Sequence, residues 1–427
     1  MTGHDPAGAG RQLAATAPRV GLFGLLGSGN SGNDVSLETM LRYLRDAHPE
    51  AILDAMSGGA ERLQARYGLD AIPLYWYQRF EDRAPTLTRP FLKALGKGFD
   101  AARIASWVRR HDVVFVPGAG ALEATLPTRP WGFPYTLFVL SVSGKLFRTK
   151  VAFVSVGAND IRQRATRSLS NWTARLACYR SYRDNYSRDA MQRRGIDTSR
   201  DRVYPDLAFG IPTPPYDPGD PQTVGVGVMD YYGGNDDRQH AAEIHSGYVA
   251  KMTRFTQWLV DTGHRVLLFG GDSKFDISVA EQIGAEVRRL RPGLDPGWVA
   301  IEPGSSYQEL MRALSPVGTV VATRYHNVIC ALKLGKPTIA LGYSEKFAPL
   351  MADMGFADFT MPASAFDVAT LIEQFGELEK RHGELQRMMT ERNAAKVASL
   401  EDQFALLSVL LFRVRTPDPV QAGQIAR

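Results

Sequence analysis

Arg324 and His326 stand two residues apart, where a β-branched apolar run ends and a helix-spaced run begins. A guanidinium is a fixed fork of donors for phosphate or carboxylate, and imidazole ordinarily titrates near neutrality. Thr319–Thr323 reads as a buried strand. Tyr325–Leu334 carries Val328, Ile329 and Leu332 at helical spacing and stops at Gly335-Lys336-Pro337. Thr338–Leu341 opens the next strand, and Lys346 follows it. Ligands of open parallel sheets bind at such strand-to-helix junctions, where helix N-termini attract anions. The stretch predicts a pocket for a small, strongly anionic ligand with one titratable imidazole beside it. Arg183, ahead of Asp184 and Asn185, occupies a second such junction, although a surface arginine in a basic region reads the same way.

The elements that would position these groups form two series. Val20–Leu26 reads as a strand, followed by the turn Gly27-Ser28-Gly29-Asn30-Ser31-Gly32-Asn33-Asp34. Its three glycines imply a close approach of backbone to something. The helix after it has one apolar face, Leu37, Met40, Leu41 and Leu44, with Asp34 or Ser36 as the expected cap. The turn departs from G-x-G-x-x-G, so it is a weak dinucleotide signal. Strands Ala51–Met56, Val113–Val116 and Val151–Val156 follow, the last two ending in small residues at Pro117-Gly118-Ala119-Gly120 and Gly157-Ala158-Asn159. Together these ends outline one edge of a crevice.

Residues 211–222 carry five prolines and read as a linker. A second series then starts at Val224–Met229, with a helix through His240–Asp261, strands Val266–Phe269 and Trp298–Ile301, and helix Tyr307–Leu314. Asp272 and Asp276 read as a helix cap and a solvated face. The expected organisation is a leader over 1–18, an N-terminal α/β domain over 19–210, the linker, a C-terminal α/β domain over 223–356, and a helical segment over 357–427 packing back on the first domain. The fold class is α/β: two doubly wound, Rossmann-like domains in a glycosyltransferase-B-like pair.

At 427 residues, two domains are expected. The net charge of +5 is spread among acidic residues, which disfavours nucleic acid as a partner. Two cysteines, Cys178 and Cys330, exclude a structural zinc site by count and read as buried, inert thiols. The opening residues lack the apolar core of a signal peptide, and the longest apolar stretches, Phe133–Val142 and Phe404–Val414, are too short to span a bilayer. A cytoplasmic protein is expected. The basic charge and the apolar C-terminal helix also allow peripheral docking at the inner face of a membrane, although a buried helix explains the same residues. Oligomeric state has no signature here.

The order of these elements resembles the polysaccharide pyruvyl transferases. The resemblance rests on the Gly27–Asp34 turn, the Pro117–Gly120 strand end, Arg183-Asp184-Asn185-Tyr186-Ser187 with Pro205-Asp206, Arg324-Tyr325-His326, Gly335-Lys336-Pro337 and Tyr343-Ser344-Glu345-Lys346. Two positions depart from the family pattern: Asn33 stands where Asp is common, with Asp34 one place later, and Ala119 interrupts a glycine triplet. The resemblance implies phosphoenolpyruvate as donor, a glycan as acceptor, and a cyclic ketal across two sugar hydroxyls, with no metal and no further cofactor. It implies Arg324, Arg183, Lys346 and the helix start at Tyr325 around the donor's phosphate and carboxylate. His326 would protonate the donor methylene, and Asp34 or a substrate phosphate would take a hydroxyl proton. Asn30, Gly32, Asn33, Gly118 and Gly120 would line the substrate side. A glycosyltransferase using a nucleotide sugar is the competing reading, with Glu345 near the crevice to grip a ribose. A third is an inactive binder of anionic sugars, which would have no need of an acid among the cations.

Overall fold

The computed structural model describes residues 17–76, 89–124, 130–234, 237, 239–271, 275–304 and 306–412. Most of the expected leader, and Asp272, lie outside them. The first series is β1 (Arg19–Gly24), α1 (Ser31–Ala47), β2 (Ile52–Ser57), α2 (Ala60–Tyr67), β3 (Asp70–Pro73), α3 (Arg89–Val108) and β4 (Val113–Pro117), then α4 (Phe133–Phe147), β5 (Lys150–Val156), α5 (Arg164–Leu176), β6 (Tyr179–Tyr182), α6 (Asn185–Arg193) and β7 (Arg202–Val203). The second is β8 (Asp220–Gly227), α7 (Ala241–Asp261), β9 (Arg265–Phe269), α8 (Phe275–Leu290), β10 (Val299–Ile301), α9 (Tyr307–Leu314) and β11 (Val317–Ala322), then α10 (Tyr325–Lys333), β12 (Thr338–Gly342), α11 (Phe347–Asp353), β13 (Thr360–Pro362), α12 (Val368–Lys380) and α13 (His382–Leu411).

The strands form two parallel sheets, ordered β3-β2-β1-β4-β5-β6-β7 and β10-β9-β8-β11-β12-β13. Helices cover both faces, which is why β4, β5 and β11 are buried on both sides, with β5 partly open only at Lys150, instead of alternating. Strand order reverses between β1 and β4 and between β8 and β11. The crevices at those two reversals hold the glycine-rich turn and the Arg324–His326 junction.

Four local expectations change. Asn30, and neither Asp34 nor Ser36, caps α1, its side chain accepting from the Gly32 and Asn33 amides. The last residues of the proline-rich stretch already belong to β8, and the segment after 357 contributes β13 to the second sheet before it turns helical. Cys330 is buried but Cys178 is exposed.

Helix α13 crosses back onto the first domain. Gln403, fully buried, bonds Ser155 Oγ and Ser181 Oγ, and Lys150 Nζ donates to the carbonyls of Leu410 and Leu411. Phe412 stacks on His48 with ring centroids 3.6 Å apart. The same helix holds the second domain through Asn393 Nδ2, which donates to the Leu332 and Lys333 carbonyls. One helix thereby sets the spacing of the two crevices.

Candidate active site

His326 lies in the first turn of α10, and its ring reaches the other domain. A Cβ built on Gly32, in the first turn of α1, would overlap the imidazole, with Nε2 at 2.6 Å and Cε1 and Nδ1 nearer still. Only a residue without a side chain lets the ring close on α1. Nε2 has no hydrogen-bond partner, and the nearest carboxylate oxygen, on Asp206, is 3.8 Å away. Burial pushes the imidazole down to about 4; Asp206 opposes this, while Arg183 and Lys346 reinforce it. The ring is neutral at pH 7.

A charged cluster surrounds it. The Arg183 guanidinium, at the end of β6, is buried; it bonds Glu123 and lies 3.5 Å from both Asp184 and Asp206. The Tyr325 ring lies beneath it, with centroid 4.7 Å from Arg183 Cζ and 5.0 Å from Lys346 Nζ. Lys346 Nζ also stands 3.6 Å from Glu123 Oε2. Two cations thus meet three carboxylates and a neutral imidazole. Next to the cluster, and sharing Glu123 and Lys346 with it, opens a cavity of about 380 Å³ also lined by Asn159, Arg162, Tyr186 and Ser344.

Arg324 and Arg183 are therefore not open anion ligands. Arg324 grips Asp276 with Nε and Nη2, each at 2.8 Å, and Asp276 is fully buried, accepting from the Asp230 and Gly271 amides as well. The expected solvated face at Asp276 is instead the anchor that fixes the start of α10. Asp34 accepts from the Gly27 amide and lines a separate, narrow cavity of about 40 Å³ with Arg66, Gly271 and Tyr307; burial raises its pKa. Asn33 Nδ2 is spent on the Leu25 carbonyl. Gly118, at φ +54°, lies against Ser36 of α1, so it seats the helix on the sheet. Gly120 faces the Glu123 carboxylate. Glu345 accepts from Tyr186 Oη at 2.6 Å, a bridge between the two domains.

Sequence reasoning missed Glu123, Asp206 and Asp276 as site residues. Glu123 closes the run after β4 and Asp206 follows Pro205, but the partners of Arg183 lie 60 and 23 residues away in the chain.

The depressed His326 pKa has a measurable consequence. The unfolded chain takes up this proton near 6.5 and the native state only near 4, so the histidine's contribution to stability is complete above 6.5 and is lost as pH falls toward 4. The stability difference between wild type and His326→Gln should therefore shift against wild type by on the order of 3 kcal/mol from pH 7 to pH 4. A difference independent of pH in urea titrations would contradict the burial of this ring.

Paired doubly wound sheets with a crevice at each strand-order reversal and a helix bridging back define a glycosyltransferase-B-like α/β fold. Residues 30–345 match the family model for polysaccharide pyruvyl transferases, and the chain belongs to that family. It is a transferase enzyme. The family implies a glycan acceptor and a small-molecule donor. No curated protein sequence matches the chain.

Among solved structures, the chain is similar to UDP-GlcNAc 2-epimerase from Neisseria meningitidis bound to UDP-GlcNAc, with a TM-score of 0.57 at 11% identity, covering 91% of this chain and 99% of that one. It is similar to the UDP-GlcNAc 2-epimerase of Methanocaldococcus jannaschii, with TM-score 0.56, 10% identity and coverage of 84% and 92%. A glycosyltransferase from Rickettsia africae gives TM-score 0.56 at 10% identity, covering 93% and 100%. These likenesses show the fold.

Proposed function

We propose that the enzyme transfers the three-carbon unit of phosphoenolpyruvate to two hydroxyls of one sugar in a glycan, forming a cyclic ketal and releasing inorganic phosphate. The observation that carries this reading is His326 Nε2: an unpartnered ring nitrogen held in the cleft by glycine on one side and a charged cluster on the other. Carbon two of the donor becomes electrophilic only when the neighbouring methylene is protonated, and imidazole is suited to deliver that proton. His326 is neutral in the free protein. A donor bringing a phosphate and a carboxylate favours the imidazolium, so binding loads the acid it then uses.

Lys346 and Arg162 line the cavity beside the cluster and are the cations a donor seated there would meet. The methylene carbon accepts the His326 proton and carbon two is attacked by the first hydroxyl. The bond from carbon two to the phosphate oxygen breaks, and the second hydroxyl closes the ring. Of the two hydroxyl protons, one restores His326 and the other leaves with phosphate. The donor's phosphate is the intermediate base, since Asp34 lines a separate cavity and Glu123 is paired with Arg183 and Lys346.

Calorimetric titration of phosphoenolpyruvate, repeated in buffers of different ionisation heat, tests this. Wild type should bind with net proton uptake at pH 7, and His326→Ala should bind without it and release no phosphate in the presence of acceptor glycans. A wild type silent to phosphoenolpyruvate but responsive to a nucleotide sugar would establish the glycosyltransferase reading instead. The fold is shared with such proteins, but the Tyr186 bridge already occupies Glu345, the carboxylate that reading needs.

A further inference from the structure

Helix α4 is apolar on both sides. Leu137, Leu140, Ser141 and Gly144 face the first sheet, as a covering helix requires. The opposite side should be polar in a helix whose other face meets water. Instead it presents Tyr135, Phe138, Val142 and Leu146, spaced to form one stripe, with Leu146 71% exposed. Trp131, 66% exposed, extends the stripe beyond the helix start, its ring 5.9 Å from that of Tyr135. Neighbouring α5 adds Trp172, 50% exposed. None of these exposed side chains is needed to cover the sheet, and a contiguous apolar patch of this kind marks an interaction surface.

The charge around the stripe identifies the partner. Residues 130–178 contain Lys145, Arg148, Lys150, Arg162, Arg164, Arg167 and Arg175, of which Lys150 is held by the C-terminal helix, against the single acidic residue Asp160. Asp160 is itself neutralised by Arg193 from α6. Arg175 stacks over the Trp172 ring with Cζ 5.6 Å from its centroid, so cation and aromatic are presented together. Aromatic and aliphatic side chains flanked by long basic ones suit the boundary between headgroups and acyl chains of an anionic bilayer. A second copy of the same face would bring like charges together.

We propose that the α4–α5 face, with Trp131, is a docking surface for an anionic membrane. On the C-terminal helix Leu407 and Leu411 are buried while Val409 and Leu410 are exposed, a smaller apolar surface without exposed aromatic side chains. Arg162 precedes α5 and also lines the 380 Å³ cavity, so the docked enzyme would present that cavity's rim toward the lipid surface. The proposal stands whatever the donor is.

Flotation of the full chain with phosphatidylcholine vesicles containing about one-third phosphatidylglycerol provides the test. Wild type should float with these vesicles and stay behind with pure phosphatidylcholine. Leu146→Glu combined with Trp131→Glu, and separately Arg164→Glu with Arg167→Glu, should each weaken binding at least about tenfold while far-ultraviolet dichroism is unchanged. Wild type that fails to float, or variants that float equally well, would overturn the proposal. So would a wild-type dimer in light scattering that the Leu146→Glu variant converts to monomer, since that assigns the face to a second copy.

Discussion

Gly32→Ala is expected to reduce kcat/KM by on the order of a hundredfold or more while leaving the protein folded. The two halves of that expectation come from different physics. Gly32 is in the first turn of α1 at ordinary helical φ, where alanine is intrinsically the better helix former by about 1 kcal/mol. The loss arises across the cleft, because the added methyl occupies the space of the His326 ring. The ring must then rotate away or the domains must part, and either displaces the proposed acid from the donor. Combining Gly32→Ala with His326→Ala should cost no more activity than His326→Ala alone, because the methyl then meets no ring. Gly32→Ala with wild-type kinetics, or additive losses in the double variant, would show that the close approach of α1 and α10 is not used in catalysis.

Removing Arg183 should produce the largest stability effect in the site. Its guanidinium compensates Glu123, Asp184 and Asp206 in a buried setting, and Arg183→Met leaves those carboxylates facing one another. Breaking such a cluster costs about 3–5 kcal/mol, against the 0–1 of a surface pair. Arg183→Lys should recover only part of this, since a point charge cannot serve carboxylates on several sides at once. The deficit should shrink as pH falls from 7 to 5, because the abandoned carboxylates then neutralise by taking up protons. Urea midpoints for the three proteins at both pH values would reveal this, and a deficit that is small or indifferent to pH would mean the cluster is not electrostatically coupled. Lys346 cannot substitute, because it stands on the far domain and, among the described residues, reaches Glu123 at 3.6 Å but neither Asp184 nor Asp206.

The sequence carried the fold in its periodicities. Apolar strand runs alternating with helix-spaced runs, five prolines between two such series, and small residues at strand ends require parallel sheets with crevices at their C-ends, and the structure has them. It also carried the position of His326, because an R-x-H at a strand-to-helix junction is a local pattern. The partners of each charge were not legible. Asp276 reads as one more polar residue near a helix start; it becomes the buried anchor of Arg324 only because α8 and α10 lie beside each other in space. Arg183 reads as an open cation for the same reason, since two of its three carboxylates, Glu123 and Asp206, come from other parts of the chain. Gly32 shows the limit most clearly. The chain alone states that a glycine stands there, as it does at many turns. Only the tertiary structure makes it the place where His326 crosses between domains, because that fact depends on how α13 spaces two crevices whose residues are nearly three hundred positions apart.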